Sequence, residues 1–223
     1  MTALHLADEG EAADLAAFLS RLLHYDRSAA VRLQAAGTAL AVFGRPPSFE
    51  VLVVRAVRLA KPYENGLDVT LDVTVSAGEL LESVDESAAT ALVPGAVTGP
   101  PWAGVLPPRG GWRAEPGLPA PHELRALVAA SVAEFRSRTE ELAPERRSRA
   151  ELDRVGREIW SRTVADTGLP VRAVHAAQSL GFLRGAEQTL LSSGSWLRLR
   201  TPYGSVAVRR TSGLLGGLDL SIR

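Results

Sequence analysis

Apolar residues recur along this chain in two rhythms, and the changes of rhythm mark its elements. Over residues 8–24, Leu15, Phe18, Leu19, Leu22 and Leu23 return at helical spacing and form one apolar stripe. Asp8, Glu9 and Glu11 stand at the end where the helix dipole favours negative charge. From residue 31 the period drops to two. Val31, Leu33 and Ala35 alternate with Arg32 and Gln34, Gly37 marks a turn, and Leu40 and Val42 continue the pattern. Residues 51–60 are apolar except for Arg55 and Arg58, as a more central strand requires. The cleanest alternation is 67–75, where Leu67, Val69, Leu71, Val73 and Val75 oppose Asp68, Thr70, Asp72 and Thr74. It runs into Ser76-Ala-Gly-Glu79, a capping box that predicts a helix with Leu80, Leu81 and Val84 toward the sheet. Residues 1–93 therefore predict an α+β subdomain: a helix, a four-stranded antiparallel meander and a second helix.

Residues 94–121 break both rhythms. They hold eight of the 14 prolines, with Trp102 and Trp112 among them. Proline lacks the donor that a helix interior or central strand uses. The segment reads as a linker or as an extended wrap, and its two tryptophans favour packing over disorder. Residues 122–223 predict a helical subdomain with a β-hairpin. Leu124, Val128, Val132, Phe135 and Leu142 keep one face of a helix that Pro144 ends. Ser148-Arg-Ala-Glu151 is another capping box, with Leu152, Val155, Ile159 and Val164 as its stripe and Thr167-Gly168 as its stop. Pro170 suits the first turn of the next helix. The hairpin follows, with Leu197 and Leu199 on one side and Arg198 and Arg200 on the other. Its turn is at Thr201-Pro-Tyr-Gly204, and Val206 and Val208 return. The tail alternates through Leu218, Leu220 and Ile222, as an edge strand would. No internal repeat is visible. The fold class is α+β.

Charge changes this picture in one respect. The net charge of the 223 residues is zero, yet residues 1–121 carry 9 Lys+Arg against 14 Asp+Glu, and residues 122–223 carry 16 against 11. An anionic partner would meet the C-terminal part. Lys61 and Asn65 are the single lysine and asparagine, a bias of high-GC bacterial style that weakens any functional reading of arginine over lysine. There is no cysteine, which excludes disulfides, thiolate nucleophiles and sulfur-ligated metals. No apolar run approaches about 18 residues and no signal-peptide pattern opens the chain, so a cytoplasmic protein without a membrane role is expected.

The chemistry-bearing residues are sparse. His5, His24, His122 and His175 make no i, i+3 or i, i+4 pair, so no metal or cofactor is expected. His24-Tyr-Asp-Arg27 closes a helix and is the one place where an enzyme could be built. The commoner reading is a cation at a helix C-terminus. Asp68 and Asp72 share the wet face of one strand. Trp196 and Tyr203 flank the hairpin beside arginines, the composition of an interface hot spot; Trp196 packed beneath the hairpin is an equal alternative.

One local motif resembles a known family. The segment Thr167-Gly-Leu-Pro-Val-Arg-Ala-Val-His175, then Gly181-Phe-Leu183 and the 197–210 hairpin, resembles the winged-helix DNA-binding domain of IclR-type transcription regulators. That resemblance implies a recognition helix carrying Arg172 and His175 and a wing whose Arg198 and Arg200 touch phosphates. Pro170 to Gly181 is about one helical turn shorter than the family's helix. The N-terminal half is similar in its element order to the α+β sandwich of type III secretion chaperone-like proteins, which bind other proteins.

The leading expectation is a non-enzymatic protein-interaction or regulatory module. Its partner surface would be formed by Trp196, Arg198, Arg200, Tyr203, Arg209 and Arg210. A DNA-binding regulator using Arg172, His175, Arg198 and Arg200 is the second reading, and an enzyme near His24 and Asp26 the third. The partner's identity and the oligomeric state are not encoded in these patterns.

Overall fold

The computed structural model describes residues 2–60 and 71–210. The strand expected through Leu218, Leu220 and Ile222, and the first part of the strand expected over 67–75, lie outside the described residues.

The N-terminal stripe forms helix α1 (Glu9–Tyr25), whose Asp8 cap accepts a hydrogen bond from the Glu11 N–H at 2.9 Å. Leu15, Phe18, Leu19 and Leu22 are buried. A short β1 (Ala3–His5) precedes it. The alternating segments become β2 (Ala30–Ala36), β3 (Ala39–Gly44), β4 (Leu52–Arg58) and β5 (Asp72–Ser76). Ser76 caps α2 (Ala77–Glu82) by accepting from the Glu79 N–H, and β6 (Thr90–Leu92) pairs with β1 in a two-stranded ribbon.

The C-terminal half begins with β7 (Arg113–Glu115), inside the proline-rich segment. It continues through α3 (Pro121–Glu140), α4 (Arg149–Trp160), α5 (Val171–Ser179), β8 (Thr189–Ser193), β9 (Trp196–Thr201) and β10 (Gly204–Arg209). Helix α4 stops at Trp160, short of the glycine stop at 168. Residues 163–170 instead close a tight turn, with the Val164 N–H donating to Leu169 O at 2.8 Å and Thr163 bridged to Pro170. Gly168 takes its positive φ of 71° inside that turn.

Among the described residues, eight strands join one antiparallel sheet in the order β5-β2-β3-β4-β10-β9-β8-β7. The fold class is thus α+β, with the hairpin β9–β10 at its C-terminal end. The meander is three-stranded, β2-β3-β4; β5 returns to the outer side of β2 instead of continuing beyond β4. The free edge of β4 is taken by β10, through Val54↔Ser205, Val53↔Val206 and Leu52↔Ala207. This explains why β4 is apolar apart from Arg55 and Arg58: it has neighbours on both edges. A repeat absent from the sequence appears in the topology: a helix precedes a three-stranded meander in each half (α1-β2-β3-β4 and α5-β8-β9-β10). The two meanders meet edge to edge at β4 and β10.

Helices cover one face of the sheet. Val31, Leu33, Leu40, Val42, Val53, Leu197, Leu199, Val206 and Val208 point into this core with α1 and α5 above them. One strong charge is buried there. Arg55 on β4 is 5% exposed and donates to Glu11 at 3.0 Å and Asp14 at 3.2 Å on α1. Its other terminal nitrogen donates to Tyr203 O at 2.9 Å, in the β9–β10 turn. Arg58 adds a second bond to Glu11 at 2.7 Å. One guanidinium thus ties the first helix to the hairpin of the other half. Arg55→Met should lower the unfolding free energy by about 3 kcal/mol, because Glu11 and Asp14 lose a buried counter-charge. Urea denaturation measures it, and a loss under about 1 kcal/mol would show that Arg58, on Glu11, and Arg184, 3.3 Å from Asp14, suffice.

Candidate functional site

Among the described residues, the opposite face of the sheet carries no helix. Its outward side chains are Arg32, Gln34 and Ala36 on β2, Ala39, Ala41 and Phe43 on β3, Leu52, Val54 and Ala56 on β4, Ser205 and Ala207 on β10, and Trp196, Arg198 and Arg200 on β9. The proline-rich segment crosses this face as a strap. It joins the β5 edge through Val97 N–H to Thr74 O at 2.9 Å and reaches the far edge as β7. Between those points Trp102, Leu106 and Trp112 pack on Leu52, Trp196 and Ala207. The Ala103 carbonyl accepts from Arg32.

The strap closes one part of the face and leaves another open. Over the C-terminal strands its aromatic rings fill the space. Over β2, β3 and β4 a groove of about 540 Å³ remains, roofed by Pro107, Pro108 and Arg109. Ala36, Ala39, Ala41 and Ala56 form its floor, with Phe43 and Val54 beside them. Three of these alanines are exposed and Ala41 half-buried. Alanine is a poor strand former, and residues on an open sheet face are ordinarily polar or β-branched. Four adjoining alanines therefore sacrifice strand propensity and leave room. The roof suits the floor: prolines are stiff and present no N–H that would need a partner.

The groove is polar at its margins. Asp72 is held bidentately by Arg32, at 2.8 and 3.0 Å, and accepts from Gln34 at 3.2 Å. The Arg32 hydrogen bonds first, then the charges of Arg32 and Arg109, keep its carboxyl below the usual carboxylate range despite partial burial. Arg198 lies across the sheet from it. Its Nε donates to Ser205 Oγ at 2.9 Å and its guanidinium sits 5.6 Å from the centre of the Trp112 ring. Burial, and secondarily Arg200, push its pKa below the ordinary arginine value. Among the described residues no carboxylate pairs with Arg198, Arg200, Arg209 or Arg109, whereas Arg55, Arg58 and Arg32 each have one.

The six residues expected to form a partner surface are divided by the sheet. Trp196, Arg198, Arg200 and Arg209 share the helix-free face; Arg209 covers the Trp196 ring at 5.2 Å. Trp196 is only 8% exposed, beneath the strap. Tyr203 is on the other side of the molecule, against the main core and under Arg184 at 4.5 Å. Arg210 pairs with Glu115 at 3.0 Å. The resemblance-derived residues are placed differently again. Five of the nine residues of α5 are buried against β9, β10, α3 and α4, so the helix presents no broad outer face. The Arg172 Nε is enclosed without a partner. His175 stacks on Trp160 at 4.5 Å and meets Phe49 edge-on at 5.0 Å. The hairpin that would serve as a wing lies inside the sheet, between β8 and β4.

Asp26 caps its own loop, accepting from the Ser28 N–H and Oγ, and the cleft it lines with Arg45 and Trp102 does not include His24. No group of three His, Asp or Glu residues among those described could hold a metal ion. No helix of the described residues is long and apolar enough to cross a membrane. The groove floor, Phe43, Gln34 and Arg109 were absent from the sequence-based candidates. Their signal is alanine recurring at the outward phase of consecutive strands.

Two families meet in the strap. Residues 1–104 are similar to the family described as Domain of unknown function (DUF8010), and residues 107–213 to the family described as Domain of unknown function (DUF8185). The boundary between the two matches falls just before the roof prolines, so the groove is built from both: a floor from the first, a roof and Arg198 from the second. No curated protein matches the chain.

His175 supplies a pH test of this packing. Burial lowers its pKa from 6.5, so the folded protein holds the neutral imidazole. The unfolded chain takes up the proton first as pH falls below about 6.5, and stability declines until the lower folded value is reached. Arg136 lines the same recess and adds no carboxylate to hold the charged form. His175→Gln should therefore show a smaller drop in urea midpoint between pH 7.5 and 5.5 than the parent chain. Equal drops would remove His175 from the pH response.

Proposed function

We propose that this protein is a non-enzymatic interaction or regulatory module that works in the cytoplasm and binds through the helix-free face of its sheet. The observation that carries the reading is the strap. A 28-residue segment rich in proline (94–121) covers that face only in part. It leaves an apolar groove of about 540 Å³ next to Arg198, Arg200 and Arg209, which pair with no carboxylate among the described residues. Such a volume falls in the range of ligand pockets, about 300–1,000 Å³. The groove's reactive groups favour binding over turnover. Asp72 is neutralised by Arg32 through two hydrogen bonds, and the remaining lining is alanine, proline, valine, leucine, phenylalanine, glutamine and two arginines. General acid–base or nucleophilic chemistry needs a free base beside its reacting atom.

A protein partner fits the exposed arginines better than a nucleic acid does. Arg200 and Arg209 are exposed on a face that also offers apolar surface and cation–π pairs, the ingredients of a protein hot spot. Helix α5, which would read a DNA groove, has five of its nine residues buried. The test is capture from lysate with the double variant Arg200→Glu/Arg209→Glu as the control. These side chains are outside the core, whereas Trp196→Ala would hollow the strap's packing and confuse folding with binding. A protein that survives nuclease, binds the parent chain and is lost with the double variant, at unchanged thermal unfolding, is the expected outcome. An identical set of captured proteins would overturn the surface, and capture abolished by nuclease would move the reading to nucleic acid.

A further inference from the structure

The groove has a chemistry of its own beyond offering an interface. Its floor is flat and apolar because four strand positions carry only a methyl group. Its roof is rigid and without donors at Pro107 and Pro108. Among the described residues, its half-buried ionic group without a carboxylate partner is Arg198, held in place on one side by Ser205 Oγ and by the Trp112 ring. Arginine stays protonated in proteins, so this guanidinium is a standing positive charge in a poorly hydrated position. The anionic group at the other margin is already saturated by Arg32 and Gln34. The groove thus pairs an unfilled apolar floor with an unmatched cation, and its charge complement is negative.

We propose that this groove binds a small amphipathic organic anion, its acidic group on the Arg198 guanidinium and its apolar body laid on Ala36, Ala39, Ala41 and Ala56 beneath the proline roof. Arg109, next in the chain after the roof prolines, adds a further positive charge to the groove's lining. Carboxylate, sulfonate and phosphate share the required planar or forked acceptor geometry, which guanidinium matches bidentately. The proposal rests on the helix-free face being the binding face. A ligand there would lie between segments similar to two different families and would bridge floor to strap, which is how a bound molecule could regulate the arginine surface beside it.

A matched pair of fluorescent probes tests this on the full chain. One is 1-anilinonaphthalene-8-sulfonate; the other is N-phenyl-1-naphthylamine, the same ring system without the sulfonate. The anionic probe should bind one saturable site, roughly tenfold tighter than the neutral one, as a single charge-assisted contact supplies. Arg198→Leu should erase that preference while leaving the neutral probe's affinity in place. Ala56→Leu, at an exposed strand position, should fill the floor and weaken both probes by about tenfold or more, at unchanged cooperative unfolding. Competition by 2-naphthoate against 2-naphthyl phosphate then identifies the acidic group preferred. Equal affinity for the two probes, or binding insensitive to both substitutions, would overturn the proposal. A protein partner still captured through Arg200 and Arg209 in that case would show the interaction reading standing without the small ligand. Probe binding without any captured partner would show the reverse.

Discussion

The pairing of β4 with β10 is the constraint on which the rest of this structure depends. Three residue pairs, Val54↔Ser205, Val53↔Val206 and Leu52↔Ala207, turn two four-stranded halves into one sheet. Once that edge is shared, β4 becomes an interior strand, and it is apolar apart from Arg55 and Arg58. The outer strand β5 has no place beside it and pairs with β2 instead. Helices from both halves then share one continuous core, where Phe18 of α1 stacks on Phe182 beyond α5 at 6.0 Å. Arg55 lies under this seam. Its bonds to Glu11, Asp14 and Tyr203 O satisfy both terminal nitrogens, which makes a buried charge tolerable at a place where the two halves must be held in one register.

The same seam creates the second face. A sheet of eight strands exposes a broad surface opposite its helices, and much of it here is apolar: Leu52, Val54, Trp196 and Ala207 all point outward. Exposed apolar surface of that extent invites association. The strap answers it with tryptophans where the surface is bulky and with prolines where it is flat. The asymmetry is informative because the topology of the two halves is alike. Over the C-terminal meander the rings of Trp102 and Trp112 reach the sheet. Over the N-terminal meander the corresponding depth is left empty by alanine below and proline above.

Local patterns made most elements legible. Period and caps placed α1, β2, β3, β4, α2 and α3 within a few residues, since Asp8, Ser76 and Glu123 act through bonds to backbone groups nearby in sequence. The end of α4 was less legible, because the turn that replaces its last residues is held by a bond between Val164 and Leu169 that a helical stripe does not announce. The site was legible only in fragments. Arg198 was visible as an outward hairpin residue and Trp196 as either exposed or packed beneath the hairpin, but whether a hairpin projects or lies inside a sheet depends on the partner of β10, which is about 150 residues away. Glu11 looked like a dipole residue and Arg55 like an interruption of a strand. Their pairing is a contact across 44 residues with no local signature. The alanines carry no local signal of a site, and their meaning appears only when three strands are set side by side under a roof from another part of the chain.

Arg55 and Arg198 show how this fold treats the same side chain in two ways. Arg55 lies on β4 at the seam and Arg198 on β9, one strand beyond it; Arg55 is buried and Arg198 half-buried, and each leans on a neighbour from another strand or its turn. Arg55 is given two carboxylates and a carbonyl, so its charge is compensated within the molecule and its role is to hold β4, α1 and the β9–β10 turn together. Arg198 is given a hydroxyl and an aromatic ring, neither of which cancels its charge. Partial desolvation of an uncompensated cation costs stability, and replacing it by an apolar residue would remove that cost. A chain that keeps arginine there, beside a row of small residues that also forgo strand stability, concentrates two unfavourable choices in one groove. Both costs fall when the same kind of molecule, apolar and acidic, enters it.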